Sequence, residues 1–250
     1  MALKIKTREI QYSAADGTLL IGYFATPETD HAVPGVLVSP EWWGRNEYTE
    51  QRARELAENG YAALALDMYG NKNVTTDAKQ AYAWMMQTFE QSNTIVDRAS
   101  AALDCLASQQ EVDGSKLGAI GFCYGGKVVL DLARSGAPLS AVATFHANLS
   151  AQIPAEKGQV QAEILVLHGE DDSMVSLDDV AKFKEEMFNA QVEHKVIIYE
   201  DAKHGFSNPL ADERAKANGV DLGYNAEVEK KSLAAMYDLL QRNLKTAESI

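Results

Sequence analysis

Short apolar runs alternate with longer amphipathic stretches along most of the chain. Six runs have the length of a strand and are almost continuously apolar: residues 33–39, 61–67, 117–122, 141–146, 163–168 and 195–200. Such runs are typical of parallel strands that are buried on both faces of a sheet. Helical patterns lie between and after them, at about 47–59, 78–109, 125–136, 177–189 and 226–244.

The order of these elements predicts the fold. Strands that alternate with helices predict a doubly wound, mostly parallel sheet of the α/β class. Ahead of them, residues 4–13 and 18–26 flank the turn signal Asp16-Gly17 and predict an N-terminal antiparallel hairpin. No linker rich in Gly, Pro or Ser divides the chain, so we predict a single domain over residues 1–250. Functional side chains are expected beyond the carboxyl ends of the strands.

Composition and charge narrow the classes of function. Hydrophobic residues make up 46% of the 250 positions and charged residues 24%, which is typical of a globular protein. The formal charge of −13 would repel a phosphate backbone, so nucleic acid is not an expected partner. The N-terminus lacks a signal-peptide pattern and no apolar run is long enough to span a membrane, so no membrane association is expected. Two cysteines favour a reducing cytoplasm. The oligomeric state is left open, with a monomer favoured.

The most informative motif joins a predicted strand to a predicted helix. Gly121-Phe122-Cys123-Tyr124-Gly125-Gly126 matches the nucleophile elbow G-x-S-x-G, with sulfur in place of oxygen. The glycines allow a sharp turn, and the helix N-terminus that follows stabilises a thiolate. The motif predicts Cys123 as a nucleophile and the amide of Tyr124 as an oxyanion donor. The alternative is that Cys123 is a small buried hydrophobic residue, which is the role we assign to Cys105.

Two later loops contain an acid and a base. A cysteine thiol needs a base nearby at neutral pH. The loop after residues 163–168 contains Asp171 and Asp172, and the loop after residues 195–200 contains His204. This is the order of nucleophile, acid and histidine that hydrolases of this architecture use. We predict that His204 accepts the thiol proton and that a carboxylate orients its ring. The spacing G-x-x-D-x-x-V favours Asp172 for the carboxylate, with Asp171 as the alternative.

The loop after the first core strand reads Pro40-Glu41-Trp42-Trp43-Gly44. An oxyanion hole needs a second N–H group from this loop, and we assign it to the backbone of Trp42. Trp43 either walls an apolar acyl pocket or packs beneath the loop. Among the remaining histidines, His146 ends a strand and is a candidate pocket residue, His168 is expected to be structural, and His31 and His194 are expected to be solvated.

Together these motifs resemble the dienelactone hydrolase family (carboxymethylenebutenolidase-like α/β-hydrolases) over roughly residues 33–245. The resemblance rests on Pro40-Glu41-x-x-Gly44, Gly60-Tyr61-Ala62-Ala63, Asp67-Met68-Tyr69-Gly70, the GFCYGG elbow, Asp172 and Ala202-Lys203-His204-Gly205-Phe206. It implies an α/β-hydrolase fold and the hydrolysis of a small-molecule ester or lactone by a Cys-His-Asp triad, through a thioester acyl-enzyme. It also implies that Glu41 accepts the thiol proton as substrate binds and that Tyr82 lines the pocket. Phe206 is a further pocket candidate.

The sequence departs from this family at two places. Founding members hold the carboxylate of the substrate with arginines, one shortly before the pocket tyrosine and one a few residues after the catalytic histidine. Those neighbourhoods read Asp77-Ala78-Lys79 and Phe206-Ser207-Asn208 here. Dienelactone is therefore left open as the substrate, and Lys79, Arg45 and Arg98 are the other candidate cations.

Two alternatives to hydrolysis remain. Thiol redox chemistry could use an activated Cys123, but the chain has no C-x-x-C motif and Cys105, in an apolar helix, is a poor resolving partner. A non-catalytic binding module on a hydrolase scaffold is the other alternative, and the retention of every triad position argues against it. No organic cofactor and no metal are implied, because histidines and acidic residues do not cluster at zinc-ligand spacings.

Overall fold

The computed structural model describes residues 3–91 and 93–245 of the chain. Within these residues there are eight strands: β1 (Ile5–Ser13), β2 (Leu19–Pro27), β3 (Val33–Ser39), β4 (Ala62–Ala65), β5 (Val112–Phe122), β6 (Ala141–Phe145), β7 (Glu163–Gly169) and β8 (His194–Tyr199). Seven helices accompany them: α1 (Glu47–Glu58), α2 (Ala78–Glu90), α3 (Thr94–Ala107), α4 (Tyr124–Arg134), α5 (Leu177–Asn189), α6 (Ala211–Asn218) and α7 (Ala226–Leu244).

The strands form one sheet in the order β1-β2-β4-β3-β5-β6-β7-β8. From β4 to β8 every neighbouring pair is parallel, whereas β2 is antiparallel to both β1 and β4. The predicted doubly wound, mostly parallel α/β sheet with an N-terminal antiparallel hairpin is therefore confirmed.

The sheet is buried on both faces. Successive residues of β3 point in opposite directions, as the pleat of a strand requires: Leu37 belongs to one apolar cluster, and Val36 and Val38 belong to the other. Helices α3, α4 and α5 cover the first cluster, and α1 and α7 cover the second. This double burial explains why the core strands are continuously apolar in the sequence instead of alternating.

Side-chain caps fix where several helices begin. The side chains of Asn46, Asp77, Ser176 and Asn225 accept hydrogen bonds from backbone amides in the first turns of α1, α2, α5 and α7. These amides have no partner within the helix, so a capping oxygen stabilises each start. The cap of α5 is a full capping box, in which Asp179 bonds back to the Ser176 amide.

Two parts of the helix prediction are wrong. The stretch 78–109 is two helices, because Gln91 has an extended backbone (φ −110°, ψ 128°) that ends α2. Helix α6 was not predicted, since its sequence ADERAKAN buries only Ala211 and Arg214 and so has no apolar periodicity. Across the described ranges, no helix combines the length and the apolar character that crossing a membrane requires.

Candidate active site

Cys123 lies at the sharp turn between β5 and α4. Its backbone has φ 53° and ψ −116°, a strained conformation for a residue with a side chain. The turn leaves no room beside it. A Cβ atom on Gly121 would lie 2.1 Å from the Gly125 carbonyl oxygen, and one on Gly125 would lie 2.3 Å from the Ser39 carbonyl oxygen. The two glycines are therefore sterically required, as the elbow motif predicts.

The backbone of Cys123 is held from two sides. Its amide donates to the Phe145 carbonyl at the end of β6 (3.0 Å), and its carbonyl accepts from the Gly126 amide in the first turn of α4 (3.1 Å). Cys123 is the N-cap residue of α4. The partial positive charge of a helix N-terminus favours an anion at this position, so the site suits a thiolate.

His204 and Asp172 form a buried hydrogen-bonded pair in the loops after β8 and β7. His204 Nδ1 donates to Asp172 Oδ2 (2.8 Å), and Asp172 Oδ1 accepts from the amides of Met174 and Val175 (2.9 Å each). The neighbouring Asp171 is exposed. The structure thus brings Asp172, and not Asp171, to the histidine.

The other side of the His204 ring interacts with Cys123. Burial alone would lower the pKa of His204, but the charge of Cys123 and the hydrogen bond to Asp172 outweigh it, and the pKa is raised well above its ordinary value. Among the described residues, the buried Nε2 of His204 has no hydrogen-bond partner of normal geometry. The raised pKa favours the protonated form of His204 at neutral pH.

Glu41 is buried in the loop after β3. Its Oε2 accepts a hydrogen bond from Asn208 Nδ2 (2.6 Å). Burial raises the pKa of Glu41 above its ordinary value, although the Arg214 charge and the Asn208 hydrogen bond lower it. The charge of His204 also lowers this pKa, so Glu41 lies within electrostatic reach of the histidine. A buried carboxyl group of raised pKa is a better proton acceptor than a solvated one.

Arg214 is a buried cation that the sequence analysis missed. It lies on α6, and its guanidinium carbon is 4.5 Å from the centre of the Trp43 ring. The absence of periodicity in α6 left no sequence signal for it. Trp43 itself is buried beneath the loop and meets the Trp42 ring edge-on at 5.1 Å. This position agrees with the packing alternative for Trp43 and leaves Trp42 as the more exposed member of the pair.

The three candidate cations have other partners or lie on the surface. Arg45 is buried and pairs with Glu50 (2.5 Å) and Glu9 (2.8 Å). Arg98 donates to the Met68 carbonyl (2.6 Å) and also pairs with Asp16 (3.5 Å). Lys79 is exposed on the first turn of α2.

His146 packs directly behind the catalytic candidate His204. It is completely buried with φ 40°, its ring centre is 5.2 Å from that of His204, and its Nε2 is hydrogen-bonded to Ser207 Oγ (2.8 Å). Burial and the charge of His204 hold the pKa of His146 well below its ordinary value, so it is neutral. Phe206 is also completely buried, 5.0 Å from the His146 ring. His146 therefore packs against both His204 and Phe206 of the loop after β8.

The remaining predicted residues lie outside this cluster. Tyr82 is 54% exposed on the outer face of α2, and its role in the pocket stays a prediction. His168 is buried at the end of β7, and burial lowers its pKa. His31 is exposed as expected, whereas His194 is half-buried against Phe183. Cys105 is half-buried in α3, and both cysteines are free.

Metal ligands are not clustered in the part of the chain that the structure covers. Within residues 3–91 and 93–245, no three His, Cys, Asp or Glu side chains are grouped so that they could hold a metal ion.

Comparison with known proteins identifies the family and agrees with the sheet. The model of the dienelactone hydrolase family matches residues 20–244. The chain belongs to the dienelactone hydrolase family. It is therefore a hydrolase with the α/β-hydrolase architecture of that family.

Two solved members of this architecture are particularly similar. A dienelactone hydrolase-like promiscuous phosphotriesterase from metagenomic libraries is 38% identical, with a TM-score of 0.90, and the match covers 97% of this chain and 99% of that one. A protein named m3DLH is 37% identical with a TM-score of 0.91, over 96% and 99% of the two chains.

A relative found by sequence is similar over most of its length. A probable 2-oxo-3-(5-oxofuran-2-ylidene)propanoate lactonase of a Bradyrhizobium species is 27% identical over 207 residues, or 79% of this chain and 83% of its own.

Proposed function

We propose that this dienelactone hydrolase family member cleaves a carboxylic ester or lactone with Cys123 as nucleophile, His204 as acid and base, and Asp172 as the carboxylate that orients the ring. One observation carries the proposal. His204 is hydrogen-bonded to buried Asp172 through one nitrogen, and its pKa is raised through interaction with the elbow cysteine. A nucleophile, a base within reach of it and a third group that fixes the base are the parts that covalent hydrolysis requires.

The proposed cycle balances its protons between Glu41 and His204. Glu41 accepts the thiol proton, and the Cys123 thiolate then attacks the carbonyl carbon. The amides of Trp42 and Tyr124 stabilise the oxyanion. When the carbon–oxygen bond breaks, protonated His204 gives its proton to the leaving oxygen and a thioester remains. Neutral His204 then takes a proton from water, which attacks the thioester, and the released thiolate recovers its proton from Glu41.

We propose an uncharged ester or lactone as the preferred substrate. Arg45 and Arg98 are occupied by carboxylates or a carbonyl, and Lys79 lies on the surface. Arg214 stacks on Trp43, and its charge acts on Glu41. Because desolvating a carboxylate without a paired cation is costly, a substrate carboxylate would bind weakly at such a site.

The likeness to a promiscuous phosphotriesterase supports a second candidate activity. A phosphotriester is uncharged, and the P=O oxygen gains negative charge on attack as a carbonyl oxygen does.

The redox alternative has less support. Cys123 interacts with His204, whereas Cys105 on α3 interacts with Arg8 and Tyr12, so the two thiols have different surroundings.

Cys123→Ala is the test of the nucleophile, with Cys105→Ala as the matched control. Substrates are p-nitrophenyl butyrate, mono-p-nitrophenyl succinate of the same acyl length, and a p-nitrophenyl phosphotriester. We expect kcat/KM for the butyrate to fall at least about 10³-fold in Cys123→Ala and to stay within 2-fold in Cys105→Ala. The butyrate should exceed the succinate by at least about 10-fold in the parent.

Each arm of this experiment can fail separately. Equal turnover in the parent and in Cys123→Ala would remove Cys123 from the mechanism. Equal rates on butyrate and succinate would leave the nucleophile intact and refute the preference for uncharged substrates. The absence of any phosphotriester turnover that depends on Cys123 would dismiss the second candidate.

A further inference from the structure

Tyr69 projects from a tightly fixed turn after β4. The Asp67 carboxylate, which is buried, organises this turn. Its Oδ1 accepts from the amides of Tyr69 (3.0 Å) and Gly70 (2.9 Å), and its Oδ2 accepts from the amides of Lys72 (2.7 Å) and Ile21 (3.1 Å). Four amide donors to one carboxylate restrict the backbone of this turn, so the position from which the Tyr69 side chain extends is fixed.

The hydroxyl group of Tyr69 reaches the loop after β3. It donates a hydrogen bond to the Trp42 carbonyl oxygen (2.9 Å). In the proposed function, the amide of the same residue is one of the two oxyanion donors. Fixing the carbonyl of Trp42 restricts rotation about the backbone bonds of that residue, and therefore restricts the direction in which its N–H group points.

The ring of Tyr69 reaches the other donor. It lies nearly parallel to the Tyr124 ring, with an interplanar angle of 14° and 6.1 Å between the ring centres. The Trp84 ring of α2 is 5.5 Å away. Tyr124 begins α4 and supplies the second proposed amide donor, and its own hydroxyl is hydrogen-bonded to Thr88 Oγ1 (2.7 Å). One side chain thus contacts both residues of the proposed oxyanion hole.

The phenol of Tyr69 is also close to the nucleophile. Burial raises its pKa, and the neighbouring Tyr124 and Cys123 raise it further. The hydroxyl therefore keeps its proton at any pH at which the enzyme would work, which a permanent hydrogen-bond donor to Trp42 requires.

We propose that Tyr69 is a positioning residue that aligns the two amides of the oxyanion hole, through its hydrogen bond to the Trp42 carbonyl and its contact with the Tyr124 ring. The inference rests on the proposed function, because it assigns a purpose to the amides named there. It adds a residue from the turn after β4 to a site otherwise built from the loops after β3, β5, β7 and β8. Such a residue acts on the transition state and not on the bound ester.

Tyr69→Phe removes the hydroxyl and retains the ring. We expect kcat on p-nitrophenyl butyrate to fall about 10- to 100-fold, which is less than the loss of a whole oxyanion donor, and KM to change less than about 3-fold. The matched control is Tyr12→Phe. Its hydroxyl accepts a hydrogen bond from the Asp67 amide (3.2 Å) in the same turn, so it tests whether damage to the turn is enough. We expect kcat of Tyr12→Phe within about 2-fold of the parent.

A second measurement separates positioning from general loosening. Butyraldehyde adds to the Cys123 thiol to form a hemithioacetal. A sulfur–carbon bond forms and the carbon–oxygen π bond breaks, so the carbonyl carbon becomes tetrahedral, and its oxygen takes up the thiol proton and occupies the oxyanion hole. Its inhibition constant should rise in Tyr69→Phe by the same factor as kcat falls, while the inhibition constant of butyramide, which stays trigonal, should not change.

Three results would overturn the inference: unchanged kcat in Tyr69→Phe, an equal loss in Tyr12→Phe, or weaker butyramide binding that matches the loss of kcat. The proposed function is judged apart from it, by turnover of the parent beside Cys123→Ala. An active parent with an unaffected Tyr69→Phe variant would reject only the role of Tyr69.

Discussion

Helices α4 and α2 both contribute residues to the surroundings of the candidate active site, but they differ in how far they are buried. All eleven residues of α4 are buried. Of the thirteen residues of α2, only Ala81 and Thr88 are buried. Helix α4 carries the proposed nucleophile at its start, whereas α2 presents Tyr82 and Met86 to solvent and reaches the site through Trp84.

The difference separates two tasks within one site. Bond making needs fixed geometry, because small displacements of a nucleophile or an amide donor are costly in rate. Substrate selection needs a surface that can change, and helices with few buried contacts are less stable locally. We therefore expect substitutions in α4 to act on stability and those in α2 to act on substrate preference.

The largest effect is expected at Gly125 in α4. In Gly125→Ala the new Cβ would lie 2.3 Å from the Ser39 carbonyl oxygen and 2.4 Å from that of Pro40, both of them backbone atoms that cannot move cheaply. We expect the free energy of unfolding in urea to fall by at least about 3 kcal/mol. Gly114→Ala is the control, because its Cβ meets nothing closer than 3.5 Å. Equal stabilities of the two variants would show that the turn at Cys123 and the start of α4 are not sterically fixed.

The buried support behind His204 predicts an acid-dependent loss of stability. Burial and the charge of His204 depress the pKa of His146 in the folded state. The unfolded chain binds a proton there near the ordinary value of about 6.5, so stability is present above that pH and is lost as the pH falls below it. Between pH 7.5 and 5.5 we expect the parent to lose about 1 kcal/mol more than His146→Gln, which keeps a polar group but does not titrate.

Urea unfolding at both pH values measures this difference. His31→Gln is the control, because it makes the same substitution at an exposed histidine. A parent and a His146→Gln variant with the same pH dependence would show that His146 does not contribute to it.

The smallest change in stability is expected in α2. Met86→Ala should alter the free energy of unfolding by no more than about 0.5 kcal/mol. If Met86 contacts the acyl chain, the ratio of kcat/KM for p-nitrophenyl octanoate over the acetate should fall about 3-fold, as expected for losing part of one apolar contact. Gln87→Ala on the same helix, also exposed, should leave the ratio unchanged. A loss of more than about 1 kcal/mol in the free energy of unfolding would show that α2 contributes to stability as α4 does.

Much of this arrangement follows from local sequence signals. Continuous apolar runs identified the parallel strands, and the glycines around Cys123 identified a turn that the Cβ positions now explain. Spacing favoured Asp172 over Asp171, and burial and the bond to His204 distinguish them in the structure. These features depend on residues near one another in the chain, which is why patterns report them.

The missed features depend on contacts between distant segments. Tyr69 was visible only as part of a motif, and the role proposed for it depends on a hydrogen bond to Trp42, 27 positions earlier. Arg214 lies on a helix whose polar sequence gives no periodic signal, and its charge matters only because Glu41 is buried nearby. Residue type and spacing carry no information about such pairings.

The hairpin at the start of the chain has a consequence for how copies of the protein meet. Strand β1 is the outermost strand on its side of the sheet, and its sequence IKTREIQYS carries Lys6, Arg8 and Glu9. An edge strand offers unpaired backbone groups to any passing strand, and charged side chains along it oppose that pairing. Strand β1 is therefore expected to oppose edge-to-edge pairing between two copies of the sheet on this side, which matters most at high protein concentration.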